Sequence, residues 1–342
     1  MFNSNFFYRK ILYTLLFIVT LISLSFIIIV PSIIMKKNKK NIMIKNILFH
    51  LASVLYENIS PVHYKGNYIK SNKVDIVMCN HYIWGDAISC VSVIKQFDDR
   101  NIYSLYSNHL LLAPCIGLLT FDSNDINITK NIKYDENIII KNLEKIKSGI
   151  ILIFPEGHIY TNSQYNESVK YSVNNNLPIL KSLLLPRTKG MFLIYDYLMK
   201  NNKMGNIIDM TGMNNNFNIK KSYNRIYAIK NMIFSDYNKT YIYIKTYTNN
   251  IKPLFYDDFK SWLIQIWTEK DKLYNNNYIN NNNLNNMNKI DTKLELKYKM
   301  IIIISIFGFI LLSSNIKYYI HIMLLISSIL GINKYYNAYI KK

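Results

Sequence analysis

Short apolar runs that end in polar or charged residues recur through the middle of this chain, and longer unbroken apolar runs lie toward both ends. From Lys73 onward, the short runs at 75–79, 101–106, 149–154, 182–185, 206–209 and 240–247 read as buried strands. Residues 87–96, 136–147, 163–174 and 257–273 read as the helices between them. In 136–147, Ile139, Leu143 and Ile146 recur at helical spacing and mark one buried stripe. Residues 257–273 repeat the pattern with Phe259, Trp262, Leu263, Ile266 and Trp267. Strands alternating with helices predict an α/β domain over 73–274, its largely parallel sheet covered by helices on both faces.

The terminal runs have a different character. Residues 11–34 are apolar almost throughout and uncharged. A helix of that length rises about 36 Å, enough to cross a hydrocarbon core of about 30 Å. The run is too long for a signal-peptide core and no small-residue cleavage site follows it, so residues 1–35 read as an uncleaved anchor. Residues 299–333 form a second apolar region, broken by Asn315-Ile316-Lys317-Tyr318. It reads as a helical hairpin or as one tilted helix with a buried break; a hairpin returns the basic tail 334–342 to its starting side. Lys36-Lys37-Asn38-Lys39-Lys40 outweighs Arg9 and Lys10, which puts the intervening domain in the cytosol by the positive-inside rule. Within 36–72, residues 41–56 carry Ile44, Ile47, Leu48 and Leu51 on one side, a stripe able to lie on a membrane or to pack on the domain. Residues 275–298 begin as an asparagine-rich stretch with too little apolar surface to offset chain entropy, and read as a disordered linker.

Charge adds less than its size suggests. Lys+Arg 41 against Asp+Glu 21 gives a formal net charge of +20, which suits nucleic acid, an anionic membrane or phosphorylated substrates. The wealth of Asn, Ile, Lys and Tyr is also what an AT-rich gene encodes, with no function behind it. Nucleic-acid binding explains neither the anchors nor the order of the polar motifs. Cys79, Cys90 and Cys115 have no CxxC spacing and give neither a disulfide framework nor a metal site.

Three strand ends carry chemistry. Asn80-His81-Tyr82-Ile83-Trp84-Gly85-Asp86 follows the first predicted strand, and a turn into a helix lets Asp86 fold back onto the imidazole. A carboxylate on one ring nitrogen presents the other as a base able to take a hydroxyl proton. Asp86 equally suits a helix N-cap. Phe154-Pro155-Glu156-Gly157 and Leu184-Leu185-Pro186-Arg187-Thr188-Lys189-Gly190 repeat the design, adding an acid and two cations. Ligands of open α/β sheets gather at such ends, so the set describes an active site for an anionic substrate. No GxSxG motif supplies a nucleophile.

These blocks, in this order and spacing from about Lys73 to about Leu273, resemble the glycerolipid acyltransferases of the 1-acylglycerol-3-phosphate acyltransferase type. Ile208-Asp209-Met210-Thr211, Trp262 and Lys270-Asp271 are similar to the membrane-bound eukaryotic subgroup. The resemblance implies direct acyl transfer from acyl-CoA, a co-substrate, to a lysophospholipid hydroxyl, with no bound cofactor or metal. It implies His81 as base, Asp86 as its orienting partner and Glu156 as the acceptor-binding carboxylate, with Gly157 allowing close approach. Arg187 and Lys189 are the candidates it offers for the phosphate, with Lys130 a further acceptor-binding candidate. His158-Ile159 stands where the family's pattern has Thr-Arg, and Lys130 where it has arginine. Lysophosphatidic acid is the expected acceptor, with lysophosphatidylinositol or lysocardiolipin remodelling, or non-catalytic lipid binding, as rivals. The endoplasmic reticulum membrane is the expected location, the domain facing the cytosol.

Overall fold

Residues of β-strands face alternate sides, and a strand buried at every position must be covered on both. That holds for β2 (Val74–Cys79) and β5 (Gly149–Ile153), which are buried throughout. The computed structural model describes residues 49–54, 56, 57, 60–82, 85–107, 125–129, 131–214, 239–248, 255–275 and 287–290. The spans read at 11–34 and 300–332 lie outside the described residues, among which no helix is long and apolar enough to cross a membrane.

The remaining strands are β1 (Val62–Gly66), β3 (Ile102–Ser107), β4 (Ile126–Ile128), β6 (Met204–Asn214), β7 (Thr240–Tyr247) and β8 (Asn288–Lys289). They form one sheet in the order β4-β3-β5-β2-β6-β7-β1-β8. From β4 to β6 the neighbours are parallel, and β1 is parallel to β7. The β6–β7 and β1–β8 pairs are antiparallel, so the sheet is mixed rather than parallel throughout. The helices are α1 (Asp86–Phe97), α2 (Ile132–Lys145), α3 (Asn162–Asn174), α4 (Thr188–Lys200) and α5 (Tyr256–Asn275). On one face Ile76, Met78, Ile151 and Ile153 pack with residues of α2, α4 and α5. On the other, Val77, Cys79, Ile150 and Leu152 pack with α1 and Tyr56.

Three expectations are corrected, and one open alternative is decided. Residues 182–185 form no strand. Asp271 takes the N–H groups of Lys181 (2.9 Å) and Ser182 (2.6 Å), and Ser168 takes that of Leu185 (2.8 Å), so no neighbouring strand can. The run is apolar because it is buried beneath helices. Helix α4 was not predicted, although its buried Met191, Ile194, Tyr195 and Leu198 have the helical spacing. Asn288–Lys289, inside the stretch read as linker, adds strand β8 to the edge of the sheet and carries Ile290 into the core at 2% exposure. Of the amphipathic segment, residues 49–54, 56 and 57 are helical, and Leu51, Val54 and Tyr56 are buried, so this part packs on the domain.

At the start of β2, Asp75 is fully buried and its carboxylate accepts from Ser71 (N and Oγ) and from Asn206 N. Arg100 pairs with it and with Asp98, and donates to Lys73 O at 2.6 Å. Breaking a buried pair by removing one partner costs about 3–5 kcal/mol. Asp75 keeps its other donors, so Arg100→Met is expected to destabilise the domain by about 3 kcal/mol, the low end of that range. Thermal melts of the two proteins check this; an unchanged Tm contradicts it.

Candidate active site

The parallel strands β2 and β5 are neighbours, so the loops leaving their C-terminal ends lie side by side. His81 follows β2 by two residues. Its carbonyl accepts from Tyr160 N at 2.9 Å, which ties the β2 loop to the chain beyond β5. Asn80, 1% exposed, extends the β2–β6 ladder through its side chain. Its Oδ1 accepts from Gly212 N at 2.9 Å, and its Nδ2 donates to Gly212 O at 3.0 Å. That is the reason for an amide at this position: it supplies a donor and an acceptor where the backbone has turned away.

Asp86 opens α1. The N-cap is Gly85, one residue earlier than the capping role read for Asp86. A Cβ at Gly85 would stand 2.4 Å from the Tyr56 hydroxyl, so the missing side chain seats the 49–57 segment against this turn. Asp86 Oδ2 accepts from Tyr82 N and lies 3.3 Å from His81 Nδ1. That is at the long edge of a hydrogen bond, as is common for catalytic pairs before substrate tightens them. The arrangement assigns the proton of a neutral His81 to Nδ1 and leaves Nε2 as the acceptor. The imidazole packs on Phe154, ring centroids 4.4 Å apart.

Glu156 sits in the turn after β5 and is 2% exposed. Its Oε1 accepts from Trp267 Nε1 of α5 at 3.1 Å. Burial pushes its carboxyl up to about 8, against the lowering effects of the Trp267 indole, nearby Lys270 and a backbone hydrogen bond from His81. Lys270 lies over the Trp267 ring at 4.3 Å, pairs with Asp209 at 2.6 Å and donates to Met210 O at 2.8 Å. Burial raises the Asp209 carboxyl and Lys270 opposes it. Asp209, Lys270 and Asp271 are thus buried structural groups. The sequence did not reveal that Trp267 holds Glu156. The available signal was general: a buried indole N–H needs an acceptor.

Arg187 is the N-cap residue of α4 and Lys189 lies in its first turn, both exposed. Arg187 N donates to Pro155 O at 2.7 Å, which fixes this loop against the Glu156 turn. Gly157 has φ +71°, and a Cβ there would stand 3.1 Å from Arg187 Cδ. Glycine therefore lets the arginine lie across the turn. A cavity of about 550 Å³ opens here, within the range of about 300–1,000 Å³ for ligand sites. Leu105, Ile153, Leu184, Met191 and Ile264 line its apolar part; Glu156, Gly157, His158, Arg187 and Lys189 also line it. His81 is not in the wall, but the Phe154 on which it packs is. The structure therefore brings Glu156, Gly157, Arg187 and Lys189 together, with His81 and Asp86 adjacent. Lys130 lies outside the described residues. Just before it, Asp135 Oδ1 accepts from Thr129 N (2.7 Å) and Oγ1 (2.9 Å), which holds the end of β4 at the cavity.

Residues 61–196, which include the His81–Asp86 pair, Glu156 and the two cations of the α4 start, match the family model described as Acyltransferase. Beyond that match the chain is similar to glycerolipid acyltransferases, among them one of the 1-acyl-sn-glycerol-3-phosphate acyltransferase type. It is 24% identical over 234 residues to an uncharacterised acyltransferase of Schizosaccharomyces pombe (66% of each chain). It is 24% identical over 243 residues to the probable 1-acyl-sn-glycerol-3-phosphate acyltransferase 5 of Arabidopsis thaliana (66% of this chain, 60% of that one). It is 25% identical over 123 residues to mouse lysocardiolipin acyltransferase 1 (36% and 31%). The matched stretches span less than two thirds of these relatives' own lengths. The crystal structure of the 1-acyl-sn-glycerophosphate acyltransferase PlsC from Thermotoga maritima aligns with a TM-score of 0.46 at 14% identity, over 77% of this chain and 96% of that one.

Proposed function

We propose that this chain transfers a fatty acyl group from acyl-CoA to the free hydroxyl of a lysophospholipid, with lysophosphatidic acid as the preferred acceptor. The observation that carries the reading is the His81–Asp86 contact at the end of β2, next to a cavity that pairs apolar walls with Arg187 and Lys189. In the proposed reaction Asp86 keeps the His81 proton on Nδ1, and Nε2 takes the proton of the acceptor hydroxyl as its oxygen attacks the thioester carbonyl. The C–O bond forms, the tetrahedral intermediate collapses, and the C–S bond breaks. The proton held by His81 then passes to the departing CoA thiolate, so His81 ends as it began. A lysophospholipid suits the cavity because its hydroxyl and phosphate are only a few bonds apart and its tail is apolar. Membranes containing the protein, labelled acyl-CoA and a panel of lysophospholipids test this; a folded protein that acylates none of them sinks it.

The match to a lysocardiolipin acyltransferase, and Ile159 where the family's pattern has arginine, support a second reading: a remodelling enzyme for another lysophospholipid. The same panel separates the two. The lysines after Ile34 support a cytosolic domain on the endoplasmic reticulum. Protease added outside sealed microsomes is then expected to digest the domain, and protection until detergent is added reverses the orientation.

The exposed Arg187 is the cation best placed for bidentate phosphate recognition. Losing a hydrogen bond to a charged group costs about 1.5–3 kcal/mol. Arg187→Ala is therefore expected to raise KM for the lysophospholipid roughly ten- to hundredfold, with KM for acyl-CoA little changed. Arg187→Lys restores part of the loss, since an ammonium has no planar fork. Steady-state kinetics with each substrate varied decide it; a rise confined to KM for acyl-CoA moves this loop to the donor site.

A further inference from the structure

Helix α5 lies beyond the residues that match the family model, yet it reaches the same cavity. Its first residue, Tyr256, shares a 2.8 Å hydrogen bond between its hydroxyl and Thr188 Oγ1, the residue between Arg187 and Lys189. The Tyr256 ring also packs edge-on against Phe192 of α4, centroids 5.3 Å apart. These contacts fix the start of α5 beside the start of α4. Residues four apart share a helix face, so Lys260 follows Tyr256 into the cavity wall and Ile264 follows Lys260. The face thus reads phenol, ammonium, then aliphatic side chain, from the α4 contact inward.

Lys260 is half-buried, and among the described residues its ammonium has neither an ion pair nor a hydrogen bond. The carboxylates of the cavity do not neutralise it. Asp135 is held by Thr129, Glu156 is bonded to Trp267, and Glu167 on α3 is exposed without an ion pair among the described residues. A cation left unpaired in a largely apolar cavity is a place for an anion brought in by the ligand.

We propose that Lys260 is a specificity-determining residue whose ammonium binds the phosphate of the lysophospholipid acceptor together with Arg187 and Lys189. The inference rests on the acyltransferase reading above for its acceptor. The shared chemistry, a phosphate attached to an apolar chain, also describes acyl-CoA, and position separates the two. The three cations line the same cavity as the Glu156 turn, and Glu156 and nearby Phe154 both touch His81. The phosphate of a lysophospholipid is a few bonds from its reacting hydroxyl, whereas the pantetheine arm keeps every CoA phosphate far from the thioester. Ile264 and Met191 then receive the start of the acceptor's tail.

The test is equilibrium binding to the purified full-length protein in dodecyl maltoside, with lysophosphatidic acid and CoA as separate probes, and acyl transfer measured on the same preparations. Lys260→Met keeps the aliphatic stem and removes the charge. It is expected to raise the Kd for lysophosphatidic acid about tenfold, the low end for a charged hydrogen bond, and to leave that for CoA within about twofold. Lys260→Arg is expected to stay within about threefold of the original, since the charge is kept. An unchanged Kd for lysophosphatidic acid in Lys260→Met overturns the proposal, as does a loss confined to CoA or an unsubstituted protein that binds no lysophosphatidic acid. A protein that binds this lipid through Lys260 but transfers no acyl group refutes the acyltransferase reading and leaves the inference standing.

Discussion

His81→Ala is expected to lower acyl transfer by about 10²–10⁴-fold, the contribution of a positioned general base, while the protein stays folded. The side chain is only partly buried, at 19% exposure, and its chief packing partner is one ring, Phe154, so truncation leaves the two cores intact. Asp86→Asn tests the partner more sharply. Asp86 Oδ2 serves both Tyr82 N and His81 Nδ1. In the variant an amide oxygen at the Oδ2 place can still accept from both Tyr82 N and Nδ1–H, so the tautomer is kept and what is lost is the charge that stabilises the imidazolium formed as His81 takes the proton. A charged hydrogen-bond partner is worth about 1.5–3 kcal/mol, so a loss of roughly ten- to hundredfold is expected. Initial rates with saturating acyl-CoA and lysophosphatidic acid, with Tm as the folding control, give the answer. Near-normal transfer by folded His81→Ala excludes the mechanism.

What the sequence showed and what it hid divide along contact distance. The His81–Asp86 pair is five positions apart, so a turn was enough to predict it. Strands β2, β5 and β7 and helices α1, α3 and α5 lie within a residue or two of their predicted ranges; β2 and β5 are buried at every position, and α1 and α5 each bury a helical stripe. Residues 182–185 defeated the reading because burial and strand pairing give the same apolar pattern, and Asp271, about 90 positions away, decides between them. Strand β8 was hidden by its asparagine-rich surroundings. It needs only two residues of pairing and the burial of Ile290. The environment of Glu156 was also out of reach, since Trp267 lies 111 positions on. Family resemblance marks that carboxylate as functional without showing which way it points.

That direction has a measurable consequence, which Glu156→Gln exposes. The Glu156 carboxyl is held at about 8, chiefly by burial, well above its value of about 4.3 in an unfolded chain. Between those two values the native state keeps a proton that the unfolded state has released, so stability falls as pH rises from about 4 to about 8. Each pKa unit is about 1.4 kcal/mol, so the whole fall is of order 4–5 kcal/mol. Glutamine cannot ionise, and its carbonyl can still accept from Trp267 Nε1. The variant is therefore expected to show a flatter profile, with the stability gained over the original largest near pH 8. If a neutral group is what the site uses, transfer at pH 7 stays within about tenfold of the original. Glu156→Ala fares worse on both counts, because it leaves the Trp267 and His81 N–H donors buried without an acceptor. Thermal melts from pH 5 to 8, run beside rates at pH 7, separate the possibilities. Parallel melting profiles for Glu156→Gln and the original show that the carboxyl is ionised in the native state. A thousandfold loss of transfer with unchanged stability shows that the charge itself meets the acceptor, the role its resemblance implies.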